Sequence, residues 1–300
     1  MTLTPRTWQL AAAFAAVYLI WGSTYLVIRV GVESLPPALF AGARFLPAAA
    51  LLLLYAFSRG ARLPQTRRDW GVIAATAILM LVGGNGLVTW SEQWIESNQA
   101  ALLVATSALW MTGLGAIGPQ GERPGGAAIA GLLLGFAGVA LLVSSGLKAQ
   151  VAPWYAYAGI SLSPLLWAAG SILARRYPVA TSPLMMAALQ TLIAGALLIL
   201  IGLISGEAPR WNWNPQGLAA LAYLTILGSC VGYGAYIWLV HQVTPTQLGT
   251  YAYVNPAVAV LLGWWILDER LSPAQIVGTL VILCGVLLVT VSPKRKPVSA

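Results

Sequence analysis

The sequence predicts an all-α membrane protein of ten transmembrane helices, arranged as two inverted five-helix repeats. Three observations carry this. Of the 300 residues, 59% are hydrophobic and 8% charged, with a mean hydropathy of +0.79, whereas a soluble domain carries about 25% charged residues. The apolar residues gather into about ten runs, each near the roughly 20 residues needed to cross a bilayer core. The chain also matches itself when shifted by about 146 positions.

The runs cover 8–30, 37–57, 70–90, 99–117, 127–145, 155–173, 183–204, 217–240, 247–267 and 273–291. The first follows a single early basic residue, Arg6, and is longer than a signal peptide's apolar region with no clear cleavage site, so it is expected to remain as a membrane helix. Ser182-Pro183, Thr244-Pro245 and Ser272-Pro273 each put a capping hydroxyl before a proline that the first helical position tolerates. Connections are short, which leaves no room for a sizeable soluble domain.

Basic residues fix the expected orientation. One set of alternate connections holds Arg6, Arg59, Arg62, Arg67, Arg68, Arg123, Arg175, Arg176, Lys294, Arg295 and Lys296; the other holds Arg29, Lys148, Arg210 and Arg270. Lys and Arg concentrate on the cytoplasmic side of membrane proteins. Both termini are therefore expected in the cytoplasm, with Glu33, Glu92, Glu96, Glu207, Asp268 and Glu269 on the far side.

In the shifted match, Trp21 meets Trp167, Arg29 meets Arg175, Pro37 meets Pro183, Gly71 meets Gly217 and Gly86 meets Gly232. One residue further on, Glu122-Arg123 meets Glu269-Arg270 and Gly131 meets Gly278. The repeats are expected at 1–146 and 147–300. Five crossings per repeat reverse the second relative to the first, and inverted repeats are typical of secondary transporters, whose site lies near the midplane between the halves.

The stretch YVNPAVAVLLGWWILDERLSPAQIVGTLVILCGVLLV resembles the EamA-type repeat of the drug/metabolite transporter superfamily, in its helix-nine proline, the acidic-basic pair that closes the helix and the spaced glycines of helix ten. In the first repeat, AGARFLPAAALLLL and GERPGGAAIAGLLLGFAGVALLV resemble the corresponding segments. The likeness covers nearly the whole chain. Within the superfamily the chain is similar to the YddG-type amino-acid exporters, a resemblance that implies ten helices, cytoplasmic termini and export of amino acids, aromatic ones included, across the inner membrane. The first repeat has Leu109-Trp110 where the second has Pro256, so the two halves need not bend alike.

Polar and aromatic residues at mid-helix are candidate cavity walls: Trp21, Thr24 and Tyr25 in helix one, Asn85 in helix three, Trp110 in helix four, Ser163 and Trp167 in helix six, Tyr233 in helix eight, and Tyr251 and Asn255 in helix nine. Trp8, Trp70, Trp90, Trp94, Trp211 and Trp213 lie near helix ends and read as interfacial anchors. The repeat puts Trp21 and Trp167 at equivalent positions, expected on opposing walls of a central cavity. An indole wall suits apolar and aromatic side chains and attracts an ammonium group. Asn85, among Gly83, Gly84 and Gly86, both donates and accepts, which matches a zwitterion and equally a helix-helix hydrogen bond. Arg44 is the basic residue well inside a span, a placement costing about 2.5–3.5 kcal/mol on insertion scales; it reads as either a structural residue or a carboxylate anchor. Gly131, Gly135 and Gly138 form a small-residue face for packing within the chain or between two copies.

Absent chemistry narrows the class. There is one histidine, His241, and the acidic residues lie near helix ends, so no metal cluster, catalytic triad or paired carboxylate is expected within the membrane, and neither is enzymatic activity or a cofactor. Weak or no obligatory proton coupling follows from the same absence. The net charge of +8 is scattered through connections rather than gathered in a patch, which argues against nucleic acid. Cys230 and Cys284 sit in apolar runs and imply no disulfide. The expected partners are amino acids or related small metabolites and membrane lipid, with the protein a monomer or homodimer in the inner membrane. Lipophilic drugs are the alternative cargo, and a channel the alternative class.

Overall fold

The computed structural model describes residues 7–118, 121–144, 152–267 and 272–291. All regular structure among them is helical. The helices are α1 (Thr7–Val32), α2 (Pro37–Ser58), α3 (Arg67–Ser91), α4 (Ser97–Val104 continued by Ser107–Ala116), α5 (Gly126–Ser144), α6 (Trp154–Arg176), α7 (Pro183–Ile204), α8 (Pro215–Val240), α9 (Pro245–Gly249 continued by Tyr251–Leu267) and α10 (Pro273–Val291). Eight described helices are long and apolar enough to cross a membrane, and Gly126–Leu141 is a shorter apolar helix. Arg6, Lys148, Asp268, Glu269, Arg270, Lys294, Arg295 and Lys296 lie outside the described residues, as do both termini and the match of Glu122-Arg123 with Glu269-Arg270.

The helix starts follow from local chemistry. The Ser182 hydroxyl accepts from Met185 N at 3.1 Å to open α7, and Asn214 Oδ1 accepts from Gly217 N at 2.6 Å to open α8. Thr244 with Gln247, and Ser272 with Gln275, form reciprocal capping boxes at α9 and α10. The α2 start is capped from afar: the buried Glu207 carboxylate accepts from Ala38 N at 3.3 Å and Leu39 N at 2.9 Å, a favourable place for a negative group.

Packing follows the repeat. α2 packs most extensively on α7 and α5 on α10, and α4 also packs on α9, so each of these helices meets its own repeat equivalent. α1 packs along α8 while α6 packs along α3, which is the same contact made once by each half. At α5–α10 the backbones approach closely: a Cβ on Gly131 would lie 2.6 Å from Gly285 O, and one on Gly138 2.9 Å from Gly278 O. The glycine face of α5 is therefore used within the chain.

Hydrogen bonds sort the connections onto two faces. On one, Thr181 donates to Arg62 O at 2.7 Å, and Arg176 donates to Leu114 O at 2.8 Å. On the other, Asn212 N donates to Ser34 O at 3.3 Å, Arg210 to Gln93 Oε1 at 3.2 Å, and Arg29 to Glu92 O. The face on which α1 begins carries Arg59, Arg62, Arg67, Arg68, Arg123, Arg175 and Arg176.

Two irregularities recur at equivalent places. α3 and α8 are π-helical over Ala77–Gly86 and Leu224–Gly232, segments that coincide under the repeat shift; π turns inside α-helices occur often at functional sites. α4 breaks at residues 105–106 and α9 at residue 250. Pro256 does not interrupt the α-helical run of α9. Pro256 lies inside the continuous segment Tyr251–Leu267, and the break comes one to two turns earlier, where Thr106 and Thr250 each donate to the carbonyl three residues back, Leu103 O at 2.7 Å and Gln247 O at 2.6 Å. Such back-bonding competes with the helix ladder and bends it.

Candidate functional site

Between the repeats lies a cavity walled by α1, α2, α3, α4, α6, α8 and α9. Nine of the ten sequence candidates line it: Trp21, Thr24, Tyr25, Asn85, Ser163, Trp167, Tyr233, Tyr251 and Asn255; so does Arg44. Trp110 does not. It is 42% exposed on the outside of α4, the side a helix in a bilayer turns to lipid.

Trp21 and Trp167 do not stand on opposing walls. Their rings meet edge to face with centroids 5.4 Å apart, and Tyr236 packs on both at 5.0 and 5.3 Å, with Tyr251 5.3 Å from Trp21. Together they make one aromatic platform. The expectation of opposing walls is corrected because the glycines of the π segments let each indole sink inward: a Cβ on Gly232 would lie 2.5 Å from Trp21 Nε1, and one on Gly84 3.0 Å from Trp167 Cε3. The polar edges are satisfied within the platform. Trp21 Nε1 donates to Gly228 O at 3.2 Å, and Trp167 Nε1 to Tyr236 Oη at 2.9 Å, which also bonds Ser171 at 2.7 Å. The platform thus offers ring faces and edges rather than free donors.

Hydroxyls on the walls are likewise occupied. Thr24, Ser107, Ser163 and Ser229 donate to backbone carbonyls of their own helices, at 2.8, 2.6, 2.9 and 3.0 Å. The two repeat-equivalent polar positions differ. Arg44 is 3% exposed, lies with its guanidinium 4.6 Å over the Phe45 ring and donates to Asn85 Oδ1, while its Nε is buried without a partner. Gln190 stands in the other half, bonded to Thr76 at 2.7 Å and Tyr233 at 2.8 Å. Asn255 is 1% exposed and its Oδ1 also has no partner.

Buried polar groups are normally satisfied. Here one cationic donor and one amide acceptor are left with spare capacity beside aromatic rings. A solute carrying a carboxylate, a donor group and an apolar body would complete all three. Among the described residues no group of three or more His, Cys, Asp or Glu side chains is placed to hold a metal ion.

On the face where α1 begins, arginines tie the ends of α4, α6 and α8 together. Arg175 pairs with Glu122 at 2.5 Å and donates to Val240 O at 2.8 Å and Val243 O at 2.5 Å, while Arg176 holds Leu114 O and Ile117 O. His241 lies in the same polar cleft; burial first, and the Arg175 charge second, push its pKa below the usual histidine value. At the equivalent place on the other face, Arg29, the repeat partner of Arg175, donates to Glu92 O.

A family model described as "EamA-like transporter family" matches the chain twice, over residues 7–144 and 154–291. The chain belongs to the EamA-like transporter family. It is a membrane transporter built from two EamA repeats. The chain is 38% identical to the uncharacterized inner membrane transporter YedA of Escherichia coli (strain K12), over 97% of this chain and 94% of that one. It is 22% identical to the uncharacterized transporter YoaV of Bacillus subtilis (strain 168), over 94% and 97%. A WAT1-related chloroplastic protein of Arabidopsis thaliana is 27% identical over 91% of this chain and 67% of its own length. A solved crystal structure superposes with a TM-score of 0.79 at 25% identity, covering 96% of this chain and 99% of the other.

Several lining residues carried no sequence signal. Ile28, Phe45, Leu81, Val88 and Val104 face the cavity, yet in a membrane helix the lipid face is as apolar as the interior, so periodicity does not separate them. The glycines of the π segments were the readable trace of both indole seats.

Proposed function

We infer that the protein is a secondary transporter that moves amino acids with aromatic or other apolar side chains outward across the inner membrane, by alternating access between its two repeats. The observation that carries this reading is the convergence of the Arg44 guanidinium, the unpartnered Asn255 amide oxygen and the Trp21–Trp167–Tyr236–Tyr251 platform at a single cavity. The carboxylate of an amino acid pairs with Arg44 in a charge-assisted contact, its ammonium reaches Asn255 Oδ1, and its side chain lies on the rings, where the aromatic faces also attract positive charge. Gradients supply the work, because the sequence holds no phosphate-binding loop.

Counterflow in proteoliposomes tests it. Vesicles loaded with unlabelled L-phenylalanine or L-leucine are expected to accumulate the labelled compound transiently, with saturation. Flux without saturation or counterflow indicates a channel. The apolar part of the lining favours one second reading, a lipophilic cargo with no carboxylate; transport of hydrophobic dyes without any amino-acid counterflow would establish that instead.

A further inference from the structure

Asn85 lies in the π segment of α3, and its contacts fix which way round its amide stands. Arg44 Nη2 donates to Asn85 Oδ1, and the Thr89 hydroxyl reaches the same oxygen at 3.4 Å while bonding the Asn85 backbone oxygen at 3.0 Å. A guanidinium donates and never accepts, so the amide atom turned toward it is the oxygen. The amide nitrogen is left over. Among the described residues it has no hydrogen-bond partner, and Asn85 is half-buried on the cavity wall beside Arg44.

Packing holds this position still. A Cβ on Gly83 would lie 2.7 Å from Leu166 Cδ1 and one on Gly84 3.0 Å from Trp167 Cε3, both on α6, while one on Gly86 would lie 3.2 Å from Leu198 Cδ2 of α7. The backbone on either side of Asn85 is thus wedged against two helices, and Arg44 ties its side chain to a third, α2. A donor already held by its neighbours loses little freedom when a ligand arrives.

The repeat separates the amide from the demands of the scaffold. Under the shift that puts Gly86 on Gly232, Asn85 falls on Val231, which is 44% exposed, and Arg44 falls on Gln190. A π segment forms in both halves, so it does not require an amide at that place. A buried arginine does require an acceptor, and a carboxylate is the usual one. Asn85 supplies an acceptor that brings no negative charge.

We propose that Asn85 is the second carboxylate-binding residue of the cavity and its charge filter: Nδ2 donates to one oxygen of a substrate carboxylate while the Arg44 guanidinium takes the other, and the neutral amide keeps that guanidinium open to an anion. The inference rests on the amino-acid reading of the cavity and deepens it. Both oxygens of a carboxylate accept, so they fill two adjacent donors. A carboxamide turns its own NH2 toward one of those donors, and an amine brings no acceptor at all. The cavity therefore selects amino acids with a free carboxylate over their amides and their decarboxylated forms.

Calorimetric titration of L-phenylalanine, L-phenylalaninamide and phenethylamine into the purified full chain and into Asn85→Asp tests this. The variant has nearly the same size and keeps an oxygen for Arg44, so a purely structural role for Asn85 leaves the binding of all three ligands unchanged. The proposal expects L-phenylalanine to bind at least about tenfold more weakly to Asn85→Asp, because the aspartate removes the donor and pairs the guanidinium. Phenethylamine is expected to weaken by no more than about threefold. In the unaltered chain, L-phenylalaninamide is expected to bind at least about tenfold more weakly than L-phenylalanine, a comparison that decides even if the variant does not fold. L-phenylalanine binding retained in Asn85→Asp, a loss shared equally by phenethylamine, or equal affinity for the acid and its amide in the unaltered chain overturns the proposal. Absence of binding by L-phenylalanine and other amino acids to the unaltered chain would instead overturn the substrate reading, and the proposal with it.

Discussion

Replacing Arg44 by glutamine separates the two ways in which that residue can matter. The repeat already places Gln190 at the equivalent position, so glutamine is compatible with this helix packing, and its amide can still donate to Asn85 Oδ1. What disappears is the positive charge and the spare Nε donor. A hydrogen bond to a charged group contributes about 1.5–3 kcal/mol, which converts to a loss of about 10- to 150-fold in affinity for L-phenylalanine. Phenethylamine has no carboxylate to lose, so its affinity should change less than threefold. Equilibrium binding to the purified chain measures both ligands, and thermal unfolding of the same samples reports whether the fold is intact. Equal losses for both ligands, or no loss for either with the fold retained, would refute the carboxylate-anchor role and return Arg44 to a purely structural one.

Other substitutions probe the platform, the packing and the arginine contacts on the face where α1 begins. Trp21→Ala removes three ring contacts, each worth about 0.5–1.5 kcal/mol beyond burial, and should lower counterflow more than tenfold, whereas Trp110→Ala should behave like Trp8→Ala and leave it near the unaltered rate. Gly131→Val drives a side chain toward Gly285 O and should destabilise the chain by about 1–3 kcal/mol, read as an earlier melting transition in detergent. Arg175→Ala should lower that transition more than Glu122→Gln, because the exposed ion pair contributes at most about 1 kcal/mol while Arg175 also holds two carbonyls of the α8–α9 connection. His241 has a folded-state pKa below its unfolded value, so its contribution to stability is present above the unfolded pKa and is lost as pH falls below it. Melting temperatures taken from about pH 7 to about pH 5 should show that decline in the unaltered chain and less of it in His241→Gln.

The self-match of the sequence carried most of the fold. It anticipated the equivalences that the structure realises as paired helices, and polar mid-helix residues pointed to nine of the cavity-lining positions. Two kinds of information were not legible. Which face of a membrane helix turns inward is hidden when both faces are apolar, and this is why Trp110, at the right depth, sits on the outside of α4. The π segments and the breaks near Thr106 and Thr250 depend on tertiary contacts and on hydroxyls that compete for helix carbonyls, which leave little trace in the sequence. The burial of Glu92, just past the end of α3, comes from tertiary packing that its chain position does not show.

The symmetry of the scaffold and the asymmetry of its polar groups answer different needs. The equivalent pairs repeat the same contacts in each half: α1 on α8 and α6 on α3, π segments under both indoles, Arg29 and Arg175 at the ends of α3 and α8. Recognition asks the opposite. A cavity with identical halves would bind an amino acid equally well in two orientations, and neither pose would concentrate its charge where the protein can respond to it. Arg44 with Asn85 in one half and Gln190 with Tyr233 in the other break that degeneracy. On the amino-acid reading, the carboxylate would face Arg44 in the first repeat and the side chain would lie on the platform.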